Sequence, residues 1–134
     1  MKISKFTEIC INVLTLLCET EKKSNIDEIN SRLNVSRNHL AKSINFLGKN
    51  GWIATKRGKS GGVIITKEGM NLEIKNLIRE TNNIQESSFY SKEISNLFAS
   101  AQDNFIEFFS NITIYEGSKY NSPKKNDDLD LYST

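Results

Sequence analysis

The chain has 134 residues, 37% hydrophobic and 25% charged, with a formal net charge of +2. That is enough apolar matter for one small core, and no run of about 18 or more apolar residues exists to cross a bilayer. Cys10 and Cys18 are too few for a disulfide scaffold or a zinc set, the first residues lack a signal-peptide pattern, and a cytoplasmic protein away from membranes is expected.

The charge is unevenly placed. Residues 1–80 hold 14 Lys and Arg against 8 Asp and Glu, a net +6, whereas residues 81–134 hold 4 against 8, a net −4. A basic leading part with an acidic end points towards a nucleic-acid partner.

The first element is a helix. Phe6, Ile9, Cys10, Val13, Leu14 and Leu17 form one apolar stripe, Ser4 is placed to cap it, and the polar stretch Glu19 to Ser24 ends it. A second short helix follows, with capping-box spacing between Asn25 and Glu28 and Ile26, Ile29 and Leu33 as its apolar side. Asn34 and Val35 make a tight break. Ser36 then caps a third helix, whose Leu40, Ile44 and Leu47 face inward and whose end is bracketed by Gly48 and Gly51.

After Gly51 the period changes. Trp52 to Arg57 is extended in character, Gly58-Lys59-Ser60-Gly61-Gly62 is a loop, and Val63 to Thr66 is β-branched throughout. These segments make a β-hairpin. Leu72, Ile74, Leu77 and Ile78 predict another short helix before Asn82. A long helix from about Ser91 to Asn111 carries Ile94, Phe98, Ala101, Phe105, Phe108 and Ile112 at heptad a/d spacing, widened by Leu97 and Phe109. From Gly117 onward the chain reads as a polar, disordered tail. The expected organisation is therefore a domain over 1–82, a linker and dimerisation helix over 83–116, and a tail over 117–134.

Three helices followed by a hairpin is the order of a winged helix-turn-helix, mostly α with a small β-hairpin. In such a fold the first residues of the third helix face base edges in the major groove. Here they are Ser36, Arg37, Asn38 and His39. Arg37 suits guanine or phosphate and Asn38 suits adenine, with Lys42, Ser43 and Asn45 further along. In the hairpin, Lys56, Arg57 and Lys59 flank a glycine-rich tip that can enter a minor groove. The competing readings are an ordinary solvated helix face and a flexible charged turn. Gly58-Lys59-Ser60 lacks the spaced upstream glycine of a phosphate-binding loop and leads into a strand, which removes nucleotide hydrolysis. No nucleophile–base pair or carboxylate pair suggests an enzyme.

Val35-Ser36-Arg37-Asn38-His39-Leu40 followed by Arg57-Gly58-Lys59-Ser60-Gly61-Gly62 resembles the bacterial Rrf2 regulators. Ile3 to Glu8 and Leu47 to Ile53 are also similar. The resemblance covers residues 1–80 well and the long helix loosely. It implies a homodimeric transcription factor whose long helices cross at the interface. It also implies a recognition helix that reads a palindromic operator on double-stranded DNA, with Arg57 in the minor groove. Iron–sulfur members of the family hold a cluster through three cysteines just before the long helix. The corresponding stretch here, Ile84 to Ser91, has none, and Glu8, where some members carry an acidic ligand, cannot hold a cluster alone. No cofactor is expected.

Cys10 and Cys18 lie eight apart on one helix, about 12 Å along its axis, too far for a disulfide within it. They read as buried structural thiols or, if Cys18 is exposed, as a redox-sensing thiol. His39 reads as a DNA-face or packing residue rather than a metal ligand. The Phe-rich seam reads as core or dimer interface before it reads as a small-molecule pocket. The leading expectation is a DNA-binding repressor. The alternative is a winged-helix protein-interaction module that docks a partner through the Phe-rich helix.

Overall fold

Helix α1 (Lys5–Thr20) is the axis of the molecule, and nearly its whole girth is covered. Thr7, Ile9, Cys10, Val13, Leu14, Leu16, Leu17 and Cys18 are buried. Ser4 caps it as expected, its Oγ accepting from the Thr7 N–H at 3.2 Å. Glu21 ends it in the left-handed region at φ 55°. The structure, a computed structural model, describes residues 3–82 and 89–121.

Two helices pack on α1 as a helix-turn-helix. In α2 (Ile26–Leu33), Asn25 Oδ1 accepts from the Glu28 N–H at 2.8 Å. The reciprocal bond runs from Asn25 Nδ2 to Glu28 Oε1 at 3.0 Å, side chain to side chain rather than to the cap backbone. Only Ile29 of the expected apolar side is fully buried; Ile26 is exposed and Leu33 half-buried. The turn depends on Asn34, left-handed at φ 53°, a conformation Asn tolerates better than most side chains. Asn30 Nδ2 closes the turn by donating to the Val35 carbonyl at 2.5 Å. Ser36 then caps α3 (Arg37–Lys49), its Oγ accepting from the His39 N–H at 3.2 Å. Leu40, Ile44 and Leu47 face inward as the spacing predicts.

Strands β1 (Ile53–Lys56) and β2 (Gly62–Ile65) form the expected antiparallel hairpin, with Ile53 opposite Ile65 and Lys56 opposite Gly62. The tip is therefore 57–61, and Gly62 is the first residue of β2. A third segment joins the pair. Ser24 and Val63 exchange backbone bonds of 2.9 and 2.8 Å, which ties the hairpin to the start of the helix-turn-helix.

Helix α4 (Lys67–Met70), a single turn capped by Thr66, was not legible in the sequence. Only glycine fits at 69, which passes directly against the Trp52 carbonyl, where a Cβ would also lie 2.9 Å from Ile65 Cγ1. Helix α5 (Ile74–Thr81) matches the expected short helix and buries Leu77, Ile78 and Thr81.

The long helix is shorter than its heptad spacing suggests. Helix α6 spans Lys92–Glu107. After it the chain turns, with Asn111 left-handed at φ 63°, and re-enters the body. The Asn111 N–H donates to Glu73 Oε1 at 2.7 Å, and the Ile74 N–H donates to the Ile112 carbonyl at 2.9 Å. Ile112 is thus no part of the helix or its seam. Helix α7 (Ile114–Ser118) follows with a full capping box between Thr113 and Glu116. Its Ile114 is buried, so Gly117 and Ser118 are ordered rather than the start of a tail. Residues 122–134 of the expected tail and 83–88 of the expected linker lie outside the described residues. No helix is long and apolar enough to cross a membrane among the described residues.

Candidate nucleic-acid interface

The outer face of α3 is the first part of the site. Asn38, Ala41, Lys42, Asn45 and Lys49 recur at helical spacing, all are exposed, and they lie opposite the buried Leu40, Ile44 and Leu47. Short amide and ammonium side chains on one exposed helix face can reach base edges and phosphates together. Lys49 joins this face at the helical spacing of Asn38, Lys42 and Asn45.

The other α3 residues nominated from the sequence sit differently. Arg37 lies on the α2 side, its guanidinium 2.7 Å from Asp27 Oδ1 with both side chains exposed. His39 lies on the α1 side. Ser36 is occupied as the cap. Ser43 does not face outward: it is fully buried and donates to the His39 carbonyl at 3.0 Å.

The hairpin supplies the second part. Lys56, Arg57 and Lys59 are exposed and, with Lys42, enter no ion pair among the described residues. Lys23 Nζ donates to the Ser60 carbonyl at 2.6 Å, pinning the tip from the helix-turn-helix side. Gly61 crosses so close to the Lys56 carbonyl that no side chain fits there. The hairpin joins α3 at its base through a bond of 3.1 Å from the Trp52 N–H to the Leu47 carbonyl. Cations held on two connected elements, with no acidic partners, form a surface suited to a polyanion.

The Phe-rich helix is the third part. Ile94, Phe98, Ala101 and Phe108 of the expected seam are exposed, together with Leu97, 63% accessible. Phe105 is only half-buried and stacks edge-on against Phe109 at 5.6 Å, and the residue that α6 buries is Ile106. The end of α6 is fastened to α5 by Glu107, which lies 2.8 Å from Lys75 and 3.3 Å from Arg79. The hydrogen bond from Lys75 is the main cause holding its carboxyl below the ordinary range.

Both thiols are inside. Cys10 is inaccessible and Cys18 nearly so, so the condition for a redox thiol at Cys18 is not met. Burial pushes Cys10 up to about 11 and also raises Cys18, which favours the protonated thiol near neutrality. Nor do the residues fit an iron–sulfur cluster. The chain has two Cys and one His; the Cys are buried on α1 and His39 is exposed on α3. No group of three candidate ligands gathers among the described residues.

The comparisons agree with this geometry. The family model described as "Rrf2: Iron-dependent Transcriptional regulator" matches residues 3–116. An HTH-type transcriptional regulator NsrR from Geobacillus kaustophilus is 36% identical over 83 residues, 60% of this chain and 56% of that protein. The NsrR of Bacillus subtilis is 32% identical over 83 residues, 60% and 57% of the two chains. The aligned stretch thus spans little more than half the length of these relatives. Among solved structures, Staphylococcus aureus CymR superposes with a TM-score of 0.74 at 16% identity, over 90% of this chain and 100% of that one. T. potens IscR superposes at 0.70 with 21% identity, over 89% and 87%. At those identities the structures speak for the fold, which is the winged helix-turn-helix expected. With the family model covering α1 to α6 and most of α7, the chain belongs to the Rrf2 family of transcriptional regulators.

Proposed function

We propose that the chain is a sequence-specific DNA-binding repressor that acts as a homodimer on a palindromic operator, without an iron–sulfur cluster. The observation that carries this reading is the paired surface of α3 and the hairpin. The exposed Asn38, Lys42 and Asn45 lie on one element and Lys56, Arg57 and Lys59 on the other. The α3 face would enter the major groove and the hairpin tip the adjacent minor groove. Lys and Arg supply affinity through phosphates; Asn38 and Arg37, and His39 at their flank, supply selectivity.

The homodimer is supported by the stripe on α6. Ile94, Leu97 and Phe98 of α6 and Phe108 at its C-cap leave large apolar side chains exposed, the kind of patch that marks an interaction site. A second copy meeting the first along this stripe would set two readers on the two halves of a palindrome. The same stripe would serve a foreign partner in the protein-interaction reading.

The test is selection of bound duplexes from a random pool, followed by binding to the enriched site at increasing salt. Recovery of a palindrome, bound by a dimer and weakening steeply with salt, is expected. Enrichment of no sequence would refute specific recognition. Purification without air, followed by iron analysis, is expected to give a colourless dimer that still binds.

A further inference from the structure

A cleft of about 190 Å³ lies where the first turns of α1 and α3 meet, lined by Lys5, Phe6, Ile9, His39 and Lys42. Two lysines and a histidine thus line it together with two apolar side chains. Such a corner has little to gain from water and much to gain from a compact anion. Its acidic neighbour is Glu8, 3.4 Å from Lys5 in a pair whose two side chains are 65% and 49% exposed. An exchange of partners there is easy, because solvent screens the pair. Lys42 has no acidic partner among the described residues, and it belongs both to this cleft and to the outward face of α3.

We propose that this corner is a phosphate site, occupied by a backbone phosphodiester of the bound duplex. Lys5 of α1 and Lys42 of α3 would grip the same strand from two elements, with His39 donating from the side. The inference rests on the DNA-binding reading and extends it to α1, which that reading leaves as scaffold. Its geometric reason is the shared wall. Lys42 lines the cleft and also belongs to the exposed face of α3, so a duplex lying on that face would pass beside the cleft. The grip would fix how deeply α3 sits, because it holds the helix start on both of its sides.

The test measures binding of the full chain to a labelled duplex across a range of KCl, for wild type, Lys5→Gln and Lys5→Arg. It also follows the ring protons of His39, the chain's only histidine, by NMR during addition of duplex or of inorganic phosphate. Loss of one phosphate contact should flatten the plot of log affinity against log salt by about 0.9 per chain in Lys5→Gln. Lys5→Arg should keep the wild-type slope, and duplex should shift the His39 resonances. Duplex binding by Lys5→Gln with an unchanged salt slope would overturn the site while leaving the DNA-binding reading intact. Saturable shifts with inorganic phosphate but none with duplex would identify a free phosphate ligand and overturn the backbone assignment. Absence of duplex binding by wild type would overturn both.

Discussion

The Arg37 guanidinium donates to Asp27 Oδ1 at 2.7 Å, across the turn of the helix-turn-helix. The side chain with the best geometry for guanine is therefore held by a carboxylate in the free chain. Both partners are well exposed, so the pair is weak and screened, and in the proposed reading DNA would compete for Arg37. Asp27→Asn should free Arg37 and remove a negative charge beside the duplex. We expect it to bind the enriched site roughly twofold to fivefold more tightly, consistent with an exposed pair of about 0.5–1 kcal/mol. Arg37→Ala should cost about 1–3 kcal/mol on that site and relax selectivity. Fluorescence anisotropy of both variants decides. Weaker binding by Asp27→Asn would mean that the pair positions Arg37 rather than withholding it.

The exposed stripe on α6 points to Phe98 as the better probe of the dimer than Phe105. Phe98 is 49% accessible and touches Phe89, ring centroids 4.4 Å apart, whereas Phe105 packs within its own chain against Phe109. Phe98→Asp should give a folded monomer by sedimentation with unchanged circular dichroism. A dimer that survives the change would place the interface elsewhere.

Gly69 lies against the Trp52 carbonyl and Ile65. Gly69→Ala must push the α4 turn away from the hairpin, which should cost about 1–3 kcal/mol. Urea unfolding should show a lower midpoint with the slope preserved. An unchanged midpoint would show that the α4 turn yields without cost.

Burial raises Cys10 to about 11 from 9.0. A thiol whose pKa is higher in the folded chain contributes stability that is fully present below the unfolded value. That contribution is lost as pH rises through the folded value. Stability should therefore decline from about pH 9 towards 11, and Cys10→Ala should remove part of that decline. At neutral pH a thiol-reactive dye should label neither cysteine until the chain unfolds. Rapid labelling of the native protein would refute the buried assignment.

Much of the helix-turn-helix and hairpin was legible because its signals are local. Ser4, Asn25 and Ser36 each cap a helix with a bond three residues long, and such bonds depend on the neighbouring sequence alone. The β-branched run 63–65 and the glycine-rich tip gave the hairpin for the same reason. The heptad spacing misled at Ile112, since spacing cannot reveal where the chain leaves a helix. The exit is set by Asn111 and Ile112 bonding to Glu73 and Ile74, residues far away in sequence. The α4 turn was missed because its glycine is required by a carbonyl fifteen or more residues earlier.

Sequence alone determined the first three helices, the hairpin and the short helix after it, the basic first part with its acidic end, and a count of only two cysteines. Tertiary structure decided which side chains face outward. It buried Ser43 and both cysteines, turned Arg37 to Asp27, exposed Phe98 while half-covering Phe105, and brought Lys5 to Lys42 and His39. The division has one physical cause. Caps, periodicity and turn propensities act over a few residues, whereas burial and ion pairing depend on which elements the folded chain sets side by side.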